Sequence, residues 1–191
     1  MTPILLTGPA MEPVPLAFAK AWLKVDSTAE DDLIGALITS ARLIVESSAR
    51  RMLMTQSWRL VLDAWPRGLI FEIPFAPFRG VLAVRVYDAL GVAALQAPAS
   101  YQIDAAPDRA RLIFTGAPPP PGRAAAGIEI DISVGYGDRP EDVPAPLRQA
   151  IQMLAARWFE DRGDPMAGPP HDVLPAAAAA LIAPYRRRRL A

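Results

Sequence analysis

The hydrophobic residues of this chain repeat with two different periods, and the change between them constrains the fold more than any other feature. Apolar residues at three- and four-residue spacing predict amphipathic helices over 28–52 and 146–162. Between 57 and 137 the period falls to two, as in "IEIDISV" at 128–134, which predicts half-buried antiparallel strands. The order of helices, then strands, then helices predicts an α+β fold.

Neither helical segment can bury its apolar stripe alone. We therefore expect the two long helices to pack together as a small helical bundle, with an antiparallel β domain inserted between them. About six strands are predicted in that insertion, which is typical of a small sandwich or barrel. The predicted organisation is an irregular N-terminal arm at 1–14, a helical core at 15–56 and 138–184, a β domain at 57–137 and a basic arm at 185–191.

Each long helix has a predicted apolar face and predicted ends. Ser27 and Glu30 have the spacing of a capping box at the start of the first long helix. Near the C-terminus, Pro175 can begin a short helix and Pro184 should end it. The two predicted stripes are Leu33, Ile34, Leu37, Ile38, Ala41, Ile44, Val45 and Ser48, and then Leu147, Ala150, Ile151, Leu154, Trp158 and Phe159.

The residue types that carry most enzyme chemistry are scarce. The chain has no cysteine, which excludes disulfides and thiolate metal sites. A zinc site or a catalytic triad would depend on one histidine, His171, in a proline-rich segment. The sequence contains no phosphate-binding loop, nucleophile elbow or HExxH motif. We therefore predict a protein that is not an enzyme and that uses no metal or cofactor.

Two weaker candidates for a site were considered. Glu129 and Asp131 could act as an acidic pair, but they alternate with isoleucines on a predicted half-exposed strand, so we interpret them as its solvated face. A nuclease would need a nearby lysine, and the only two lysines lie in the first helix. Aromatic residues of the β segment could stack on bases, but few basic residues accompany them, which favours a role in the sheet core and rim.

Charge is segregated along the chain. Twenty basic and 20 acidic residues balance, yet Arg186–Arg189 form an unbroken run in "APYRRRRL" at 183–190. The rest of the chain is therefore mildly acidic. No apolar run is long enough to predict a membrane span, and the start "MTPILLTGPAMEPVPLAF" lacks the basic region of a signal peptide.

Three stretches together resemble a known family. They are "LKVDSTAEDDLIGALITSARLIVE" at 23–46, "IPFAPFRGVLAVRVYDALG" at 73–91 and "ISVGYGDRPEDVPAPLRQAIQMLAARWFEDR" at 132–162. In this order they resemble the head–tail connector, or adaptor, proteins of long-tailed phages and of phage-derived gene transfer agents. The resemblance covers roughly residues 15–189, but the proline run at 118–121 is not part of the pattern.

The resemblance implies a structural ring protein of the virion. Such adaptors assemble in the bacterial cytoplasm and form a dodecameric ring beneath the portal protein at the head–tail junction. The ring continues the DNA channel and presents a surface to the stopper or tail-completion protein. The family's C-terminal segment is expected to reach into the portal, and here that segment contains the candidate portal-binding residues Tyr185, Arg186, Arg187, Arg188, Arg189 and Leu190.

The arginine run leaves three interpretations open: a disordered basic tail, a segment that docks into a protein and a segment that faces DNA. Arginine pairs bidentately with carboxylates at protein interfaces, and it also binds DNA phosphates without sequence preference. The alternative function is a nucleic-acid-binding protein that uses this basic tail. The acidic body and the absence of a recognition helix with clustered basic residues disfavour it.

Overall fold

The structure is a computed structural model that describes residues 1–106, 109–161 and 174–186. Within these ranges the chain forms four α-helices and eight β-strands in two antiparallel sheets, which confirms the α+β class. The chain divides into two compact units. The β unit comprises Met1–Pro9 and Thr55–Gly135, and the helical unit comprises Ala10–Met54 and Tyr136–Ala191.

The helical unit is built around one apolar cluster. Its helices are α1 (Leu16–Leu23), α2 (Asp31–Ala49), α3 (Ala145–Asp161) and α4 (Ala176–Ile182). Ile34 and Ile38 of α2 lie in the same cluster as Leu147 and Ile151 of α3, and all four side chains are buried. The prediction that the two long helices pack on each other is therefore confirmed.

The ends of the helices follow local chemistry. The hydroxyl oxygen of Ser27 accepts a hydrogen bond from the backbone N–H of Ala29 at 3.1 Å, and this caps a 3₁₀ turn at Thr28–Glu30. The predicted capping box was wrong, because α2 begins only at Asp31, after that turn. At the other end of the unit, α4 begins after Pro175 and ends at Ile182, before Pro184, as predicted.

The buried faces differ in part from the predicted stripes. In α2, Leu33 is exposed, whereas Arg42 and Glu46 are buried. These two charged side chains pair with each other, which reduces the free-energy cost of burying their charges. In α3, Leu147, Ala150, Ile151 and Leu154 are buried as predicted. Trp158 and Phe159, at the end of the same stripe, only partly cover the cluster.

The β unit contains a five-stranded sheet with the order β1-β2-β8-β4-β5 and a three-stranded sheet with the order β3-β7-β6. The strands are β1 (Thr2–Thr7), β2 (Gln56–Leu62), β3 (Ile70–Glu72), β4 (Phe78–Tyr87), β5 (Ala93–Leu95), β6 (Tyr101–Ala106), β7 (Arg109–Phe114) and β8 (Ile128–Val134). Leu60 and Val84 flank Ile130 in register, and all three are fully buried, so β8 is the centre of the apolar face.

Two strands were missed from the sequence. The N-terminal segment was expected to be an irregular arm, but Thr2–Thr7 form β1, which pairs antiparallel with β2. A proline such as Pro3 is tolerated there because β1 is an edge strand. The other missed strand, β5, has only three residues and is too short to show a period of two. Among the described residues, no helix is both long enough and apolar enough to cross a membrane.

Candidate functional site at the root of the C-terminal arm

The predicted portal-binding residues begin at the end of the helical unit. Tyr185 and Arg186 belong to the part of the chain that the structure describes. Arg187, Arg188, Arg189 and Leu190 lie outside the described residues, as does His171. The structure therefore describes only the first two residues of this set, Tyr185 and Arg186, which we call the root of the basic arm.

Helix α4 anchors this root in the helical unit. Ala178 and Ile182 are fully buried in the apolar cluster, which orients the short helix. The backbone N–H of Ala179 donates to the carbonyl of Pro175 at 2.9 Å, which closes the first turn. A 3₁₀ turn at Ala183–Tyr185 then ends the helical path.

A side chain just beyond the C-terminal end of α2 holds the 3₁₀ turn at Ala183–Tyr185 in place. The guanidinium Nε of Arg51 donates to the carbonyl oxygen of Tyr185 at 2.6 Å. The ring of Tyr185 packs partly against the apolar cluster. Arg186 is exposed and its backbone is extended. The chain therefore leaves the core at Arg186, where the arginine run begins.

The acidic pair of β8 lies in a different environment from the one predicted. Asp131 is only 5% exposed. Its carboxylate accepts two hydrogen bonds from Arg59, at 2.7 and 2.9 Å, and one from Arg85 at 2.5 Å. The interpretation of Asp131 as part of a solvated face was wrong, because two arginines from the neighbouring strands cover it. Glu129 is half-buried, with one carboxylate oxygen 3.1 Å from Arg59.

The electrostatics of this cluster stabilise the charged forms of Asp131 and Arg59. Burial acts to raise the pKa of Asp131, but the hydrogen bonds from Arg59 and Arg85 outweigh it, and the pKa is lowered. The hydrogen bond to Asp131 raises the pKa of Arg59. Burial, together with a hydrogen bond to Glu129, raises the pKa of Tyr87. Asp131, Arg59 and Tyr87 therefore keep their ordinary charge near neutral pH.

A second charged network lies in the helical unit, and the sequence analysis missed it. Arg42 donates to Glu12 at 2.7 Å and to Glu46 at 2.9 Å. Glu46 also accepts from the backbone N–H of Leu53 at 2.8 Å, and Thr39 donates to Glu12 at 3.0 Å. This network fastens the segment before α1 to α2. The only sequence signal was the four-residue spacing of Arg42 and Glu46.

A metal site has no support in the described ranges. Across residues 1–106, 109–161 and 174–186, no group of three or more histidine, cysteine, aspartate or glutamate side chains could hold a metal ion. The carboxylates that do come together are paired with arginines, as in the Arg59–Asp131–Arg85 cluster.

Comparison with known proteins adds the context. No family model and no curated protein matches this chain. Among solved structures, a chain from the neck of an empty gene transfer agent (GTA) particle, determined with C6 symmetry, has a TM-score of 0.84 and 29% identity. Chains from the virion of a native GTA particle and from a native GTA neck with C12 symmetry have TM-scores of 0.81 and 0.80, also with 29% identity.

These matches extend over the full length of the protein. Each one covers 100% of this chain and 98% of the matched chain. Both units and the root of the basic arm are therefore included in the similarity, rather than one common substructure. The chain is similar from end to end to proteins of gene transfer agent particles and their necks, which supports a structural role in a virion neck rather than a catalytic one.

Proposed function

We propose that this protein is a head–tail adaptor. It forms a ring of twelve copies beneath the portal, continues the DNA channel and joins the head to the stopper or tail. The observation that carries the proposal is the full-length similarity to a chain in a native GTA neck with C12 symmetry. The sequence motifs at 23–46, 73–91 and 132–162 point to the same family independently.

The basic arm is the part of the adaptor that binds the portal. Its root is fixed by Arg51 and by the burial of α4, so the arm leaves the helical unit from a defined point. Fixing the arm in one conformation costs about 1–2 kcal/mol per residue in backbone entropy. Binding to a partner must supply contacts that offset this cost. Carboxylates in a portal groove meet that requirement, because each arginine can pair with a carboxylate through two hydrogen bonds.

Portal binding is tested by deleting residues 186–191 and measuring capture by the portal ring over a series of salt concentrations. We expect the truncated chain to lose most of its portal binding. The full-length chain should lose binding only gradually as salt rises, because desolvated ion pairs are screened less than exposed ones. Capture of the truncated chain at the wild-type level would contradict the docking role of the arm.

A matched variant separates the portal from DNA as the partner of the arm. Lysine keeps the charge of arginine but cannot form the bidentate pair. Weaker portal capture by the lysine variant, with unchanged DNA binding, would support docking into protein. Equal behaviour of both chains, with binding that falls steeply with salt, would favour DNA-facing arginines instead. The lysine variant carries Arg186→Lys, Arg187→Lys, Arg188→Lys and Arg189→Lys.

A further inference from the structure

The five-stranded sheet ends on both sides in strands that carry no charged side chain. All six residues of β1 are exposed, and residues 1–11 contain no charged side chain. The other edge, β5, lies within an uncharged stretch at 89–103. Within the part of the chain that the structure describes, no further strand of this sheet lies beyond β1 or β5. The sheet therefore has two open edges.

Both open edges are also strongly apolar. On the β1 side, Ile4, Leu5 and Leu6 are between 43% and 48% exposed. On the β5 side, Val92 is 61% and Leu95 is 68% exposed. Proteins protect sheet edges with charged side chains, with proline or by keeping the edge strand very short, because an unpaired edge with apolar residues recruits other strands. Here β1 contains Pro3 and β5 has only three residues, but neither edge carries a charge, so each can still accept a further strand.

Cyclic symmetry restricts what can cover these edges. In a ring, every copy contacts the next through two different surfaces, one on each side of the molecule. The two edges of one sheet supply such a pair of surfaces, and both bring unpaired backbone groups and leucine or isoleucine side chains. A second copy of this chain therefore matches each edge in hydrogen bonding and in hydrophobicity.

We propose that β1 of each copy pairs with β5 of its neighbour, so that the five-stranded sheet continues from subunit to subunit as a closed belt. This inference rests on the ring that the proposed function requires, and it names the surface that closes the ring. All strand pairs of the sheet are antiparallel, so the edge strands β1 and β5 run in the same direction. A twelvefold axis turns each copy by only about 30°, so the junction is a parallel strand pair.

The dimensions of such a belt suit a neck component. Neighbouring strands lie about 4.8 Å apart, so five strands advance the ring by about 24 Å per copy. Twelve copies then give a belt about 90 Å across, on the same strand spacing. That diameter leaves a central opening through which DNA can pass. The strand geometry is therefore compatible with a ring that surrounds a channel.

Cysteine cross-linking tests the junction directly, because the chain has no cysteine of its own. The variant Leu5→Cys with Leu95→Cys, assembled into rings and treated with a short thiol cross-linker, should give a ladder of covalent oligomers up to the closed ring. Either single variant should remain monomeric under denaturing conditions. An equal mixture of the two single variants should stop at dimers. Leu43→Cys with Leu95→Cys is the matched control, since Leu43 is an exposed leucine of α2.

The outcomes separate this inference from the proposed function. If rings form but Leu5→Cys with Leu95→Cys gives no more cross-linking than the control pair, the edge junction is wrong and the adaptor function stands. If the unmodified chain forms no ring with the portal, the proposed function itself fails. A charge at the edge gives a second test. Leu5→Lys should raise the concentration needed for ring assembly at least tenfold, whereas Leu43→Lys should leave it unchanged, and equal effects would contradict the inference.

Discussion

The helical unit and the β unit both bury a carboxylate beside arginine, but the arginines are buried to different depths. In the helical unit, the side chains of Arg42 and Glu46 are 8% and 7% exposed. In the β unit, the side chain of Asp131 is also only 7% exposed, but the side chains of Arg59 and Arg85 are 27% and 31% exposed. Water can therefore reach Arg59 and Arg85 but hardly reaches Arg42. Removal of the buried carboxylate should therefore destabilise the helical unit more than the β unit.

The largest effect is expected for Glu46→Ala. This change leaves the buried Arg42 with one carboxylate fewer and removes the acceptor of the Leu53 N–H group. Loss of one partner of a buried ion pair costs about 3–5 kcal/mol. Denaturant unfolding measures this cost. Glu141→Ala, an exposed glutamate of the same unit, is the control and should change stability by less than about 0.5 kcal/mol. Equal denaturation midpoints for the two variants would show that the Arg42 network adds nothing to the stability of the fold.

The apolar cluster gives the next largest effect. Ile151→Ala removes a fully buried side chain, so we expect a loss of about 2–5 kcal/mol. Trp158 is only partly buried, so Trp158→Ala should cost less than the roughly 3–5 kcal/mol of a fully buried tryptophan. Chemical unfolding of both variants provides the measurement. A larger loss for Trp158→Ala than for Ile151→Ala would contradict the packing described for α3.

In the β unit, Asp131→Asn should destabilise the sheet by a smaller amount. Hydrogen bonds to charged groups contribute about 1.5–3 kcal/mol. Because water can solvate Arg59 and Arg85 after the substitution, the loss of these bonds should cost less than that. This expectation replaces the interpretation of a solvated face, under which the substitution would have been silent. Ser57→Ala, on the neighbouring strand β2, serves as a control for general effects on the sheet. A change for Asp131→Asn no larger than that of the control would show that the hydrogen bonds from Arg59 and Arg85 add nothing to stability.

The Asp131 cluster also predicts a pH dependence. The pKa of Asp131 is lowered in the folded protein, so its contribution to stability is present above the ordinary aspartate pKa of about 3.9. It is lost as the pH falls below that value and through the folded pKa. Unfolding free energies of wild type and Asp131→Asn should therefore converge as the pH falls below about 4. A constant difference between pH 7 and pH 2 would contradict this account.

The smallest effect is expected at the root of the basic arm. Arg51→Ala removes the hydrogen bond to the Tyr185 carbonyl, which should cost about 1 kcal/mol in stability. Arg51→Ala should reduce portal capture more than it reduces stability, because it removes the contact that fixes where the arm begins. Arg50→Ala is the matched control, since Arg50 is exposed at the neighbouring position. Equal portal capture by the two variants would show that the root does not orient the arm.

The comparison of the two units also shows what could be read from the sequence. The helical period predicted α2, α3 and their contact, because apolar spacing marks most of the buried face of a helix. It did not predict the burial of Arg42 and Glu46, which depends on their pairing with each other. The burial of Asp131 could not be predicted, because it depends on the strand register that places Arg59 directly opposite it. Strand β1 was missed because an exposed edge strand need not alternate between polar and apolar residues. The arginine run was recognised, but sequence alone does not reveal its partner.

The most direct test of the central claim is a mass measurement on the complex of this chain with its portal, combined with electron microscopy of the same sample. The adaptor function predicts a ring of twelve copies stacked coaxially on the portal, with a continuous central opening. Variants that lack residues 186–191 should fail to stack even when they still form rings. A chain that stays monomeric or dimeric in the presence of the portal, and binds DNA instead, would contradict the account.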